Sequence, residues 1–237
     1  MNIFLIFTSE NLYIYKKLIV NKYIDHTLLK PDAREQQIIE LCQEATDYNF
    51  ASVCVHPQFV GLAYEKLKHE KLKVCTVIGF PLGQNTTEVK IFEAQNALKN
   101  GADEIDMVIN VSWLKDGLHE LLLNEIASIK QTIGHHILKV IVEICLLTDE
   151  EIISISEVVS KSGADFIKTS TGFGTHGATM QAVEIMKAHI SEKVQIKASG
   201  GIRDFETAKS YIDLGVTRLG TSSGVEIVEG IKSDKTY

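Results

Sequence analysis

Residues 138–169, LKVIVEICLLTDEEIISISEVVSKSGADFIKT, contain the pattern that decides the fold. The stretch begins and ends with short apolar runs rich in β-branched residues, at Leu138–Ile144 and Asp165–Thr169, which is typical of buried strands. Between them, Asp149–Ser162 has the apolar spacing of a helix, and Thr148 opens a capping box at its start. The segment therefore predicts a strand, a helix and a second, parallel strand.

The same pattern recurs along the chain. Eight strands are predicted, at Tyr23–Thr27, Ser52–Val55, Val74–Phe80, Glu104–Ile109, Leu138–Ile144, Asp165–Thr169, Val194–Ser199 and Thr217–Thr221. Helical spacing lies between them, at Glu35–Tyr48, Glu88–Lys99, Leu118–Thr132, Asp149–Ser162, Met180–Ile190 and Asp204–Asp213. Gly101, Gly163 and Gly215 each end a helix just before a strand. The first strand is the weakest of the eight because it contains Asp25 and His26.

Eight strand–helix units predict an α/β fold, a single-domain (β/α)8 TIM barrel. A doubly wound open sheet is the alternative, but the chain has no G-x-G-x-x-G after an early strand. The barrel is assigned to residues 21–237, since no Pro-rich or Ser-rich linker divides them. Residues 1–20 are read as an N-terminal extension, with a short helix at Leu12–Val20.

Composition narrows the class of partner and the compartment. The chain has 24 Lys and Arg against 31 Asp and Glu, which argues against nucleic acid or an anionic membrane as the main partner. No stretch approaches the length of a membrane span, and residues 1–7 lack the features of an export signal. The four cysteines form no C-x-x-C pair, which favours reduced thiols in the cytoplasm. Histidine spacing suggests no metal site.

Two lysines lie near the ends of consecutive predicted strands, where TIM barrels carry their reactive groups. Lys168 and Lys197 should be neighbours, and a buried amine beside a second cation gives up its proton more readily. Such an amine can form a Schiff base with a carbonyl compound. The other interpretation is that both are solvated lysines at strand ends. Spacing alone does not decide which lysine attacks.

An acidic residue should accompany these lysines. Asp106 lies within an otherwise apolar strand, so its carboxylate needs a cationic partner, either Lys197 or Lys168. A purely structural ion pair is the alternative. Glu143 is a competing carboxylate, ranked second because it lies nearer the strand edge. Lys139 and Glu104 lie at strand beginnings and are assigned a structural or solvent role.

Three strand ends carry related polar, glycine-containing sequences that could hold an anion. They are KTSTG at 168–172, KASGG at 197–201 and GTSSG at 220–224. Glycine lets backbone N–H groups approach an oxyanion, and hydroxyl groups add donors. The last two sequences follow strands seven and eight, where such barrels often bind phosphate. The predicted phosphate-binding residues are Thr171, Gly172, Gly200, Gly201, Arg203, Gly220, Ser222 and Ser223.

Two further features are left without a functional role. Gly79–Gly83 is either a loop that closes over a substrate or a plain turn. Cys54 is expected to be a bystander thiol, because no base for it is apparent.

Taken together, these sequences resemble the deoxyribose-phosphate aldolases, which are class I aldolases with a TIM-barrel fold. The resemblance covers about 200 residues and includes IDHTLLK (24–30), CTVIGFPLG (75–83), ADEIDMVIN (102–110), GADFIKTSTGF (163–173), KASGGIR (197–203) and GTSSG (220–224). It implies that Lys168 forms the Schiff base, that Lys197 is the neighbouring cation and that Asp106 relays protons. It also implies reversible cleavage of 2-deoxy-D-ribose 5-phosphate to acetaldehyde and D-glyceraldehyde 3-phosphate, without a metal or cofactor.

Two positions bear on how far the resemblance extends. Some members have lysine after the glycine of KTSTG, where this chain has Phe173, so phosphate binding would depend more on Arg203 and backbone donors. Some members use a C-terminal tyrosine in proton transfer, and this chain ends in Tyr237. The alternatives are a Schiff-base aldolase for another phosphorylated sugar and a non-catalytic sugar-phosphate-binding barrel. The expected partners are small phosphorylated sugars and aldehydes, and self-association into a homo-oligomer is left open.

Overall fold

The computed structural model describes residues 20–233. Eight parallel strands form a closed barrel in chain order, and the eighth pairs with the first. They are β1 (Ile24–Leu28), β2 (Ser52–Val55), β3 (Lys73–Ile78), β4 (Glu104–Val108), β5 (Ile137–Ile141), β6 (Phe166–Lys168), β7 (Gln195–Ser199) and β8 (Arg218–Thr221). The predicted (β/α)8 barrel is confirmed, including its weakest strand, and the open sheet is excluded.

Helices surround this barrel. Those of the described residues are α1 (Glu35–Asp47), α2 (Val60–Leu67), α3 (Thr87–Lys99), α4 (Val111–Lys115), α5 (His119–Ile133), α6 (Asp149–Lys161), α7 (Met180–His189), α8 (Phe205–Leu214) and α9 (Gly224–Glu229). Six match predicted segments, whereas α2, α4 and α9 were not predicted. The predicted N-terminal helix lies outside the described residues except for Val20, and Tyr237 lies outside them too.

The boundaries of α6 follow the predicted sequence signals. The Thr148 hydroxyl oxygen accepts a hydrogen bond from the backbone N–H of Glu151 (3.3 Å), and the Glu151 carboxylate accepts one from the backbone N–H of Thr148 (2.8 Å). These reciprocal bonds satisfy two donors that a helix start leaves free. Gly163 follows the helix with φ of 83°, a left-handed conformation that favours glycine. Local chemistry therefore fixes where β6 begins, and β6 carries Lys168.

The two faces of the strands bury different kinds of side chain. On β4, Ile105 and Met107 face the helices and belong to the apolar core, whereas Glu104 and Asp106 face the barrel interior. Strand residues alternate between faces, so this interior contains charged groups where aliphatic side chains are usual. Among the described residues, no helix combines the length and the apolar character needed to cross a membrane.

Candidate active site

Asp106, Lys168 and Lys197 meet inside the barrel. Asp106 Oδ2 accepts hydrogen bonds from Lys168 Nζ and from Lys197 Nζ, each at 2.8 Å. Lys168 and Lys197 are register partners on β6 and β7, so their side chains leave the sheet at the same level. Asp106 and Lys197 are inaccessible to solvent, and Lys168 is 3% exposed. The structure thus brings together the three residues singled out in the sequence, and Asp106 contacts both predicted partners.

Lys139 completes the contacts of Asp106. Its Nζ lies 2.8 Å from Asp106 Oδ1 and 2.6 Å from Glu104 Oε2. The thiol of Cys75 also donates to Asp106 Oδ1, at 3.2 Å. The sequence predicted either a structural or a solvent role for Lys139 and Glu104. The solvent role is wrong, because both side chains are buried. The start of a barrel strand still faces the interior at every second residue, and both side chains occupy such positions.

A second carboxylate supports Lys197 from the other side. Asp25 Oδ2 lies 2.5 Å from Lys197 Nζ, and Asp25 Oδ1 accepts hydrogen bonds from Arg218 and from the Ser52 hydroxyl. Arg218 also binds Glu104 and so closes a ring of charges around the barrel. Sequence reasoning missed Asp25 and Arg218 as members of the site. The polar Asp25 in a strand was the available signal, and it was read only as weakness of that strand.

The network shifts the pKa values of its members in opposite directions. Burial would raise the pKa of Asp106, but the adjacent charges of Lys139, Lys168 and Lys197 outweigh burial and hold it well below its ordinary value. Burial would lower the pKa of Lys197, yet Asp106 and Asp25 raise it above the ordinary value. At neutral pH Asp106 is therefore an available proton acceptor and Lys197 an available proton donor.

Charge counting distinguishes Lys168 from the other cations. The interior network contains four cationic side chains and three carboxylates. Lys197 contacts Asp25 and Asp106, whereas Lys168 contacts Asp106 alone. Without Lys168, each of the three carboxylates still keeps a cationic partner. Lys168 is therefore the lysine that can bond to a substrate while the other charges of the network stay paired.

These shifts predict how stability depends on pH. The pKa of Asp25 and that of Asp106 lie below the ordinary 3.8, because adjacent cations outweigh the effect of burial. Such groups stabilise the fold fully above their unfolded pKa, and the contribution is lost as pH falls towards the folded pKa. We expect the free energy of unfolding, measured with urea, to drop between about pH 5 and pH 3.

Matched variants identify the source of that drop. Asp25→Asn removes one of the two carboxylates with a lowered pKa, so the free energy of unfolding should fall less between about pH 5 and pH 3 than it does in wild type. Asp213→Asn alters an exposed pair with Lys209 on α8 and should leave the loss unchanged. An equal loss in wild type and Asp25→Asn would show that Asp25 does not supply it.

A small depression lies beside this network, at the ends of β7 and β8. It is lined by Gly200, Gly201, Ile202, Arg203, Gly220, Thr221, Ser222 and Ser223, and six of these are among the eight predicted phosphate-binding residues. Gly200 and Gly201 have φ of 84° and 80°. Successive residues in such unusual conformations can turn backbone N–H groups towards one anion. The depression has the donors that a phosphate group requires.

Thr171 and Gly172 do not line this depression. The Thr171 hydroxyl instead donates to the Glu143 carboxylate, which also accepts from the Thr171 backbone N–H at 3.3 Å. Glu143 lies beyond the end of β5 with φ of 56° and makes no ion pair with the described lysines. Thr171 and Glu143 line a separate cavity of about 570 Å³ at the ends of β3 to β6. Glu143 therefore positions the loop after Lys168 and does not join the charged network.

Two phenylalanines meet above the barrel. Phe80, in the Gly79–Gly83 loop, contacts Phe173 edge-to-face, with ring centroids 5.4 Å apart. Phe80 also packs against a small buried cluster that includes Leu29, Cys54 and Cys75. The loop therefore covers part of the barrel mouth, and its closure over a substrate stays a prediction. Phe173 adds an apolar ring to this part of the barrel mouth.

Three potential metal ligands lie close together in the interior. The ligand atoms of Cys54, Cys75 and Asp106 are within 4.8 Å of one another. Lys139, Lys168 and Lys197 already surround the Asp106 carboxylate. A divalent cation would be repelled by these ammonium groups, so the donor set fits ion pairing better than metal binding. Cys54 is buried beside Cys75, whose hydrogen bond lowers the pKa of Cys54.

Comparisons with known proteins place this site in a class. Residues 19–227 match the model for DeoC/LacD family aldolase. The deoxyribose-phosphate aldolase of Staphylococcus carnosus is 51% identical over 216 residues, which cover 91% of this chain and 98% of that protein. Among solved structures, QR15, an aldolase, is 44% identical with a TM-score of 0.86, over 90% of this chain and 95% of that one.

A tetrameric deoxyribose phosphate aldolase from Aeropyrum pernix is 33% identical with a TM-score of 0.78, over 94% of this chain and 97% of that one. Fold, site and similarity together define an aldolase, a lyase that cleaves or forms a carbon–carbon bond. The chain belongs to the DeoC/LacD family of aldolases.

Proposed function

We propose that this aldolase cleaves 2-deoxy-D-ribose 5-phosphate reversibly to acetaldehyde and D-glyceraldehyde 3-phosphate. The observation that carries the proposal is the contact of Lys168 and Lys197 with one carboxylate oxygen of Asp106, both at 2.8 Å. A buried amine, a proton acceptor and a proton donor are the three groups that a Schiff-base retro-aldol reaction needs. The names of the similar aldolases agree with this substrate.

The reaction begins with nucleophilic attack. The neutral Lys168 amine adds to C1 of the open-chain sugar phosphate, and loss of water gives a protonated imine. This iminium accepts the electron pair of the C2–C3 bond when that bond breaks. The product on the lysine is an enamine, and D-glyceraldehyde 3-phosphate departs with the phosphate.

The two neighbouring groups move the protons. Bond cleavage requires removal of the C3 hydroxyl proton, and the Asp106 carboxylate takes it up through a water molecule. The Lys197 ammonium donates a proton to C2 of the enamine, which restores the iminium, and Asp106 then passes the proton taken from the C3 hydroxyl to Lys197, 2.8 Å away. Hydrolysis of that iminium releases acetaldehyde and regenerates the Lys168 amine. The lowered pKa of Asp106 and the raised pKa of Lys197 keep the acceptor ionised and the donor protonated at neutral pH.

The depression at Gly200–Ser223 would hold the substrate phosphate and orient C1 towards Lys168. Arg203 is the one cation that lines it. We expect Arg203→Gln to raise KM for the phosphorylated substrate about tenfold, because a charge-assisted hydrogen bond is lost. Cleavage of unphosphorylated 2-deoxyribose serves as the control, and its kcat/KM should not change. An equal effect on both substrates would argue against phosphate binding by Arg203.

A substrate panel tests the proposal. The carbonyl products of cleavage are measured from 2-deoxyribose 5-phosphate, which gives acetaldehyde, and from other phosphorylated sugars, which give other aldehydes or ketones, with and without Lys168→Ala. Preference for the deoxy sugar and loss of release in the variant are expected. Preference for another sugar phosphate favours the alternative aldolase, and binding without turnover favours the non-catalytic barrel.

Self-association and location extend the proposal. The similar protein from Aeropyrum pernix is described as tetrameric, so we propose that this chain also forms a homo-oligomer. Light scattering coupled to size-exclusion chromatography measures its mass. The free thiols of Cys42, Cys54, Cys75 and Cys145 support a reducing compartment, the cytoplasm.

A further inference from the structure

A buried hydroxyl group lies unpaired beside the charged network. Ser199, at the end of β7, is 5% exposed, and its Oγ has no hydrogen-bond partner in the structure. Leaving a buried hydroxyl without a hydrogen-bond partner costs free energy. A ligand that supplied the missing partner would recover this cost on binding.

The backbone of Ser199 is held firmly in place. Thr169 Oγ1 accepts a hydrogen bond from the Ser199 backbone N–H at 3.1 Å and donates to its carbonyl oxygen at 3.2 Å. Ala178 N–H donates to the same carbonyl oxygen at 2.9 Å. These bonds leave the hydroxyl as the one polar group of Ser199 without a partner. A backbone held in this way places the hydroxyl at a defined point, which suits recognition of one particular group.

The Ser199 hydroxyl lies near the reactive lysines and near the depression proposed for the phosphate. Ser199 faces the same side of β7 as Lys197, about 7 Å further along the strand. It directly precedes Gly200 and Gly201 of the phosphate depression. Its Oγ lies against Gly220, where an added Cβ would be only 2.3 Å away. The hydroxyl therefore lies between the reactive amines and the phosphate site.

We propose that Ser199 binds the C4 hydroxyl of the substrate, which is the α-hydroxyl of the aldehyde product. This inference rests on the proposed function. The iminium occupies C1, the Asp106 and Lys197 pair serves C2 and C3, and the phosphate is attached at C5. C4 is the remaining polar carbon, and it lies between C3 and the phosphate as Ser199 lies between Lys197 and Gly200. Ser199 thereby selects acceptor aldehydes that carry an α-hydroxyl.

Ser170 is the competing candidate, since its Oγ is also buried without a partner. It lies in the loop after β6, next to Thr171, which contacts Glu143 and lines the cavity at β3 to β6. The phosphate depression lies on the opposite side, at β7 and β8. Ser199 is therefore the better placed of the two to reach C4.

The test compares two aldehyde acceptors, D-glyceraldehyde 3-phosphate and 3-oxopropyl phosphate, which lacks the α-hydroxyl. Condensation of each with acetaldehyde is followed in wild type, Ser199→Ala and Ser170→Ala. We expect Ser199→Ala to lower kcat/KM for D-glyceraldehyde 3-phosphate about tenfold and to leave that for 3-oxopropyl phosphate within about twofold. The preference of wild type for the hydroxylated acceptor should then shrink about tenfold. Ser170→Ala should keep it.

Two outcomes would overturn the assignment. An equal loss for both acceptors would mean that Ser199 acts structurally, and a preference lost in Ser170→Ala instead would transfer the role to Ser170. Reductive trapping of acetaldehyde on Lys168 is measured in each variant, because it involves no C4 hydroxyl. If Lys168 of Ser199→Ala is trapped and this variant keeps the acceptor preference of wild type, the Ser199 proposal is refuted and the proposed function stands. If Lys168 of wild type is not trapped, the proposed function is refuted.

Discussion

Replacing Lys168 by alanine is expected to lower kcat/KM for 2-deoxyribose 5-phosphate by roughly four orders of magnitude or more. The substitution removes the only group proposed to bond covalently to C1, and neither Lys197 nor Lys139 can replace it. Both of those lysines contact at least two carboxylates, which hold them in the charged form. Initial rates of acetaldehyde release, at substrate concentrations on both sides of KM, measure the effect.

The fold should survive this change. Lys168→Ala removes one of four interior cations and leaves Asp25, Glu104 and Asp106 each with a charged partner. The free energy of unfolding should therefore change much less than the activity. Lys68→Ala, which alters an exposed pair with Glu65 on α2 and the turn after it, is the matched control and should retain full activity. A folded Lys168→Ala protein with substantial turnover would contradict the proposed mechanism.

Asp106→Asn should affect both stability and catalysis. Asparagine removes the one carboxylate that Lys168 contacts among the described residues and one of the carboxylates that Lys139 and Lys197 each contact. Leaving a buried charge unpaired in this way costs about 3–5 kcal/mol. It also removes the proposed proton acceptor, which should lower kcat by about 10²–10⁴-fold. Urea unfolding at pH 7 and steady-state kinetics measure the two effects, and Asp213→Asn is the surface control.

A double variant separates the two consequences. In Asp106→Asn the four interior cations face only two carboxylates, Asp25 and Glu104. Lys139→Met removes one of these excess charges, so the double variant Asp106→Asn, Lys139→Met should be more stable than Asp106→Asn alone. Its activity should remain low, since the proton acceptor is still absent. A double variant that recovers activity would show that Asp106 matters for folding and not for proton transfer.

The fold was accessible from the sequence because its signals are local. The positions of the eight strands, helix capping at Thr148 and positive-φ glycines such as Gly163 and Gly215 depend on neighbouring residues, and the structure confirms each of them. Helix α4 was missed because five residues are too few to show a helical period. Strand β5 ends at Ile141 because Glu143 adopts a left-handed conformation, which an apolar run does not reveal.

Part of the site was also predictable. Lys168 and Lys197 occupy equivalent places on consecutive strands, so their approach follows from the order of the barrel. The roles of Lys139 and Arg218 were not predictable in this way. Each looks like an ordinary charged residue at a strand start, and only the tilt and closure of the barrel bring it towards Asp106 or Asp25. Thr171 illustrates the converse, because its hydroxyl has a partner, Glu143, that spacing did not indicate.

Trapping of the lysine adduct tests the central claim most directly. Wild type and Lys168→Ala are incubated with acetaldehyde and sodium borohydride, and intact mass and peptide mapping locate any reduced adduct. We predict one ethyl group on Lys168 in wild type and none at the corresponding peptide in the variant. An adduct on Lys197 with Lys168 unmodified, or no adduct on a folded protein, would contradict the assignment of Lys168 as the Schiff-base residue.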